Sequence, residues 1–249
     1  MSYQQEQNNI DFLIQQLHTS QDNSVKKRAA EGLGVLGVDN SDAINVLIDL
    51  ICTTEDEPTR WVGIQSLGKI GTDNNDVIQT LIEQLSTVRI PTRRIIAQSL
   101  IKIAVGNKQA IINLANLAHN TSDEKTREAI AYILGYIGKK NQEAINTLIY
   151  LIHNSSYDYT RRIAVKSLGR IEDCSQETID ALIEAVRNTE DYYSCFTAVS
   201  ILEKIAVGNI KATDNLTKIL LFENHHHHNR KIIAITIAKI DSNAIIKLA

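Results

Sequence analysis

Residues 141–171 read NQEAINTLIYLIHNSSYDYTRRIAVKSLGRI. Two apolar-periodic runs flank a short polar turn. In the first, Ile145, Leu148, Ile149 and Ile152 take the i, i+3, i+4, i+7 places of one helix face. In the second, Ile163, Ala164, Leu168 and Ile171 line up likewise. The stretch predicts two amphipathic helices joined by a turn.

The same pattern returns, edited, along the chain. Leu33, Leu67, Leu100, Leu134, Leu168, Leu202 and Ile237 close the apolar face of successive second runs, at intervals of 34, 33, 34, 34, 34 and 35 residues. Six near-equal intervals define a tandem array. The first runs are Ile10–His18, Asp42–Cys52, Asp76–Ser86, Gln109–His119, Gln142–His153, Gln176–Arg187 and Lys211–Leu221. The units expected are 10–38, 42–72, 76–107, 109–140, 142–173, 176–209 and 210–240, making one domain over 10–249. Met1–Asn9 reads as a polar, frayed tail, and Ser242–Ala249 as a partial cap helix closing the stack. Small residues in the second runs, among them Ala29, Gly63, Ala97, Ala131, Ala164 and Ala198, suit close helix packing. Gly37, Gly71, Gly106, Gly138 and Gly208 are expected as left-handed caps. Asp22, Asp56, Asp123 and Asp191 are expected to N-cap the second helices.

Composition narrows the function classes. At 249 residues, 43% hydrophobic and 22% charged, the chain can bury a continuous core. Two prolines, 11 glycines and few aromatics argue against β-rich and disordered classes. Cys52, Cys174 and Cys195 form no CxxC pair and leave an odd thiol, which points to a reducing compartment. No leader and no apolar run of about 18 residues is present, so a cytoplasmic protein without a membrane span is expected. Patterns for phosphate loops, dinucleotide turns, nucleophile elbows, zinc proteases and EF-hands are all missing, and no catalytic residue is assigned.

Three lines carry a family resemblance: DNSVKKRAAEGLGVLG (22–37), DEPTRWVGIQSLGKIG (56–71) and DEKTREAIAYILGYIG (123–138). They resemble the HEAT-like repeat family in its short bacterial form, over about residues 10–249. The third unit departs from the pattern, with Arg89 for the Asp and Ile101 for the Gly; the sixth has Cys195 for the basic residue. The tetratricopeptide signature is missing. The resemblance implies an all-α solenoid, a superhelix of about seven helix pairs with a partial C-terminal cap helix. It further implies that second helices line the concave surface. It also implies that the ladder Lys26, Arg60, Arg93, Arg127, Arg161 and Arg230, broken at Cys195, is an internal strut bonding acidic or carbonyl groups of the adjacent unit.

One stripe of each second helix faces away from the core, at one, five and nine residues past the ladder. It comprises Lys27, Glu31, Val35; Trp61, Gln65, Lys69; Arg94, Gln98, Lys102; Glu128, Tyr132, Tyr136; Arg162, Lys166, Arg170; Phe196, Ser200, Lys204; and Lys231, Ile235, Lys239. Ten of these are Lys or Arg and two are Glu, a balance of +8, while the other 16 basic and 27 acidic residues balance at −11. A basic wall on an acidic protein suits an acidic protein or peptide partner. Cations in the last turn also answer the helix dipole, which gives the wall a structural explanation as well. Tyr157, Asp158, Tyr159, Tyr192, Tyr193, Phe196, His227 and His228 are expected to cluster with Arg162 beside the wall, and Trp61 stands as a separate candidate anchor. Consecutive His225–His228 cannot converge on one ion, so no metal site is assigned. The repeats are also similar to phycobilin lyase-type proteins, in which these cations and aromatics would hold a bilin; otherwise no cofactor is expected. Nucleic acid is the least favoured partner, given the acidic total and few aromatics.

Overall fold

The computed structural model describes residues 3–189, 191–223 and 225–241. Among them are 14 α-helices and no strand. They are α1 (Tyr3–Thr19), α2 (Asn23–Leu36), α3 (Ser41–Thr53), α4 (Glu57–Ile70), α5 (Asn75–Gln84), α6 (Ile90–Ile103) and α7 (Lys108–Asn120). There follow α8 (Glu124–Ile137), α9 (Gln142–Asn154), α10 (Asp158–Ile171), α11 (Gln176–Arg187), α12 (Tyr192–Ile205), α13 (Ile210–Phe222) and α14 (His227–Ile240). The fold is the all-α repeat of seven helix pairs that the periodicity predicts. No described helix is long and apolar enough to cross a membrane. The expected cap at 242–249 lies outside the described residues.

The chain divides into two units, Met1–Asn116 and Leu117–Ala249, with the boundary inside α7. In the first, α1, α3 and α5 form one layer and α2, α4 and α6 the other; in the second, α9, α11 and α13 lie against α8, α10, α12 and α14. The polar stretch at the N-terminus, expected as a frayed tail, is helical from Tyr3. Its side-chain bonds Gln4–Asn8, Gln5–Asn9 and Gln7–Asp11 each span one turn on the exposed face of α1.

Every second helix is 14 residues long, with the ladder residue fourth and the leucine or isoleucine of the period eleventh. Their starts follow the aspartates. Asp22, Asp56, Asp123 and Asp191 each accept from a backbone N–H of the first turn. Arg89 and Tyr157, at the same place, give no such bond.

The glycines after the second helices act differently from expectation. Gly37, Gly71 and Gly138 have φ of −88°, −95° and −92°, so none is left-handed. A Cβ at Gly37 would lie 2.7 Å from Ala43 Cβ, and one at Gly71 2.8 Å from Val77 Cγ1. These glycines let the next first helix close onto the end of the second. The left-handed residue comes two places later: Asp39, Asp73 and Lys140, with φ of 59°, 56° and 57°. Where the first place holds Ala104 or Ala206, the left-handed place holds Gly106 or Gly208, with φ of 73° and 74°. Each of these five turns ends on an asparagine that caps the next first helix: Asn40, Asn74, Asn107, Asn141 and Asn209.

Second helices meet through a glycine of one repeat and the tenth residue of the next. A Cβ at Gly34 would lie 2.9 Å from Ser66 Cα, at Gly68 3.2 Å from Ser99 Cα, and at Gly135 2.9 Å from Ser167 Cα. The backbones therefore nearly touch, and Ser99 Oγ donates into α4 at Ile64 O, 3.1 Å away. At the α10–α12 seam Ile201 replaces the serine. There a Cβ at Gly169 would meet Ile201 Cδ1 and Cγ1 at 2.8 Å, with the next atom at 3.5 Å. No backbone atom of α12 comes as near, and the larger side chain holds the two helices apart.

Candidate functional site

The ladder is structural, but it works within its own unit more than between units. Arg60 Nε donates to Ile51 O at 3.2 Å and its Nη2 to Thr54 O. Arg93, buried, donates to Leu85 O at 2.7 Å and Val88 O at 3.1 Å. Arg161 reaches Ser155 O at 2.5 Å, and Arg230 reaches Glu223 O at 3.4 Å. These are the terminal carbonyls of the preceding first helix and its turn, which have no partner of their own in the helix. Arg127 reaches onward, to Asn154 O at 3.2 Å, while also pairing with Glu124 at 3.0 Å. Burial pushes the Glu124 carboxyl up, but bonds from Ser156 N, Thr160 and Arg127 outweigh it and hold the group below its ordinary value. Cys195, in the ladder place of α12, is fully buried, and that burial pushes its thiol up to about 12.

None of the 21 wall residues is buried. In the first unit the wall carries separate cations: Lys69, Arg94 and Lys102 are all exposed. Trp61 is less free than expected of an anchor. It is partly covered, and its indole N–H donates to Thr92 Oγ1 at 2.7 Å, with Thr92 in turn donating to Glu57. It ties α4 to α6.

In the second unit two wall arginines lie on aromatic rings. The Arg170 guanidinium is 4.5 Å from the Tyr136 ring centroid and 5.6 Å from that of Tyr132. Arg162 lies 4.9 Å from Tyr159 and 5.9 Å from Tyr193, so it sits between rings of two successive repeats. Tyr192 continues the row to Tyr193 at 5.6 Å, Phe196 at 6.0 Å and His228 at 6.2 Å, and His228 meets His227 at 5.9 Å. The structure thus gathers Tyr159, Arg162, Tyr192, Tyr193, Phe196, His227 and His228 as the repeat register predicts. It also joins Tyr132 and Tyr136 to Arg170, a link the sequence reading missed. The available signal was register: Tyr136, Arg170 and Lys204 hold the same place in consecutive repeats.

Among the described residues, Arg162, Lys166, Arg170 and Lys204 make no salt bridge. Lys125 and Lys239, nearby, are paired with Glu128 at 3.0 Å and Glu203 at 2.7 Å. Asp191, the N-cap of α12, is raised by burial but brought below its usual range by bonds from Ser194 and Tyr193, with Arg162 adding to the effect. His225 lies 3.8 Å from Glu223, and among the described residues no three His, Cys, Asp or Glu are placed to hold a metal.

Paired helices stacked at a fixed period, with one face of every second helix left open, define a helical repeat protein. A model of HEAT repeats matches residues 10–102 and 111–203, about three quarters of the sequence, and the chain belongs to that family. No curated protein matches it. One similar solved structure, described as "Computational Design of Self-Assembling Cyclic Protein Homooligomers", is 16% identical over 98% of this chain and 92% of its own, with a TM-score of 0.25.

Proposed function

We propose that the chain is a non-catalytic interaction scaffold that binds an acidic protein or peptide along α8, α10 and α12. The observation that carries this is the set of unpaired cations held against aromatic rings in the second unit. A guanidinium resting on tyrosines keeps its N–H edges for a carboxylate, in the planar two-point geometry arginine favours. It is also held in place, so less side-chain entropy is lost on binding. Tyr and Arg together are the side chains that anchor protein interfaces. HEAT repeats as a class mediate protein interactions, which supports the same reading.

The test is fluorescence anisotropy with a labelled oligoglutamate peptide, titrated across salt. The expected result is binding that weakens steeply with ionic strength. Affinity that does not change between low and high salt would remove the basic wall as its cause.

A further inference from the structure

The seam between α10 and α12 holds a cleft of about 560 Å³. Its depth comes from one substitution. Ile201 stands where the closely packed seams have serine, and it props α12 away from Gly169. Ile201, Ile205 and Phe196 give the cleft an apolar lining, and Lys166, Arg170 and Lys204 supply its charge. The carboxylate at its edge, Glu172, is taken up by Lys139 Nζ at 3.7 Å. Arg170 is stacked on Tyr136, yet its Nη1 is buried with no hydrogen-bond partner. A covered donor with no acceptor works against folding, and the Tyr136 ring against the guanidinium offsets part of that cost.

From this we infer the recognition element of the partner: a bulky apolar side chain, aromatic or long aliphatic, flanked by acidic residues. The apolar side chain enters between α10 and α12, and the flanking carboxylates meet Lys166, Arg170 and Lys204. The volume suits one such anchor, and the charge on the rim excludes anchors flanked by lysine or arginine. This rests on the acidic-partner reading and narrows it.

The experiment uses the full chain and two labelled peptides, EEEWEEE and EEEGEEE. The tryptophan peptide is expected to bind at least about tenfold tighter, the gain from burying one large side chain. Cys174 lines the cleft and is exposed, whereas Cys52 is exposed in the other unit and Cys195 is buried. Bound EEEWEEE should slow iodoacetamide alkylation of Cys174 at least threefold and leave Cys52 unchanged, a readout that needs no variant. Ser200→Trp, which fills the cleft, should remove the advantage of the tryptophan peptide, so that the ratio of the two affinities falls to about one. Equal affinities on the unaltered chain, or an unchanged Cys174 rate, overturn the cleft and leave acidic docking standing. No binding of either peptide overturns both.

Discussion

The two units are written in one repeat and use their cations differently. In the first, the well-bonded arginines point inward: Arg60 and Arg93 cap the ends of α3 and α5, and the tryptophan of the wall is bonded to Thr92. In the second, the ladder is interrupted at Cys195; Arg127, Arg161 and Arg230 still bond carbonyls, but the wall arginines Arg162 and Arg170 in addition rest on tyrosine rings. The seams differ in the same sense. Both seams of the first unit are Gly–Ser contacts; the second unit has one of these, then Gly169–Ile201, then a polar contact in which Thr236 Oγ1 donates to Glu203 at 3.0 Å. A repeat that departs from its own packing rule gains surface where it loses closeness. The consensus positions build the stack, and the departures mark where it has been fitted to something else.

Charge reversal should separate the units most strongly. Arg162→Glu combined with Arg170→Glu is expected to weaken oligoglutamate binding about 100-fold, roughly 2.8 kcal/mol. Arg94→Glu with Lys102→Glu, the same change of charge in the first unit, should cost less than about threefold. Equal losses from the two pairs would mean that net charge alone is read, and the comparison would collapse.

Stability should show the opposite ranking. Arg93→Met removes two charge-assisted bonds from a buried site, and about 3 kcal/mol is expected in a urea melt. Cys195→Ala, at the matching place in the second unit, removes only a sulfur and should cost about 1 kcal/mol. A smaller contrast is expected at the seams. Gly135→Ala drives a methyl against the Ser167 backbone and should lose a net 1–2 kcal/mol, roughly, after the helix-propensity gain. Gly169→Ala meets side-chain atoms of Ile201, Cδ1 and Cγ1 at 2.8 Å, and no backbone atom as near, and should cost less than Gly135→Ala. If Gly169→Ala is the costlier change, the opened seam is an incorrect reading.

The sequence was most informative where a rule repeats. The period placed all seven pairs, and the offset from the ladder picked out a stripe that is nowhere buried. It was weaker where one residue type serves two ends. Gly37 and Gly106 look alike as helix stops, yet the first clears room for Ala43 and the second supplies a positive φ two places further on. Only comparing the five turns in register, where Gly-x-Asp or Gly-x-Lys alternates with Ala-x-Gly, separates them. The tie from Trp61 to Thr92 could not be read from the sequence, because a bond to a residue 31 places away has no local signature. The role of Ile201 was invisible for a related reason: its effect depends on Gly169 in the neighbouring helix.

The smallest expected contrast is with acid. Asp56 in the first unit has its pKa lowered, chiefly by the Thr59 hydroxyl. In the second unit three carboxyls are lowered: Glu124, Asp173 and Asp191, each raised by burial and then brought down further by hydrogen bonds, those on Asp173 coming from Ser175 and Thr178. A carboxyl with a depressed folded pKa contributes stability that is fully present above its unfolded value, 3.8 for these aspartates and 4.5 for the glutamate. That contribution is lost as pH falls below those values and through the folded ones. The second unit therefore has more to lose. Amide hydrogen exchange followed segment by segment from neutral pH downward should show α8–α12 losing protection at a higher pH than α2–α6. Glu124→Gln with Asp191→Asn should flatten the pH dependence of the second unit and leave the first as it was. Simultaneous loss in both units, unmoved by that pair of substitutions, would show that these bonds do not set the acid response.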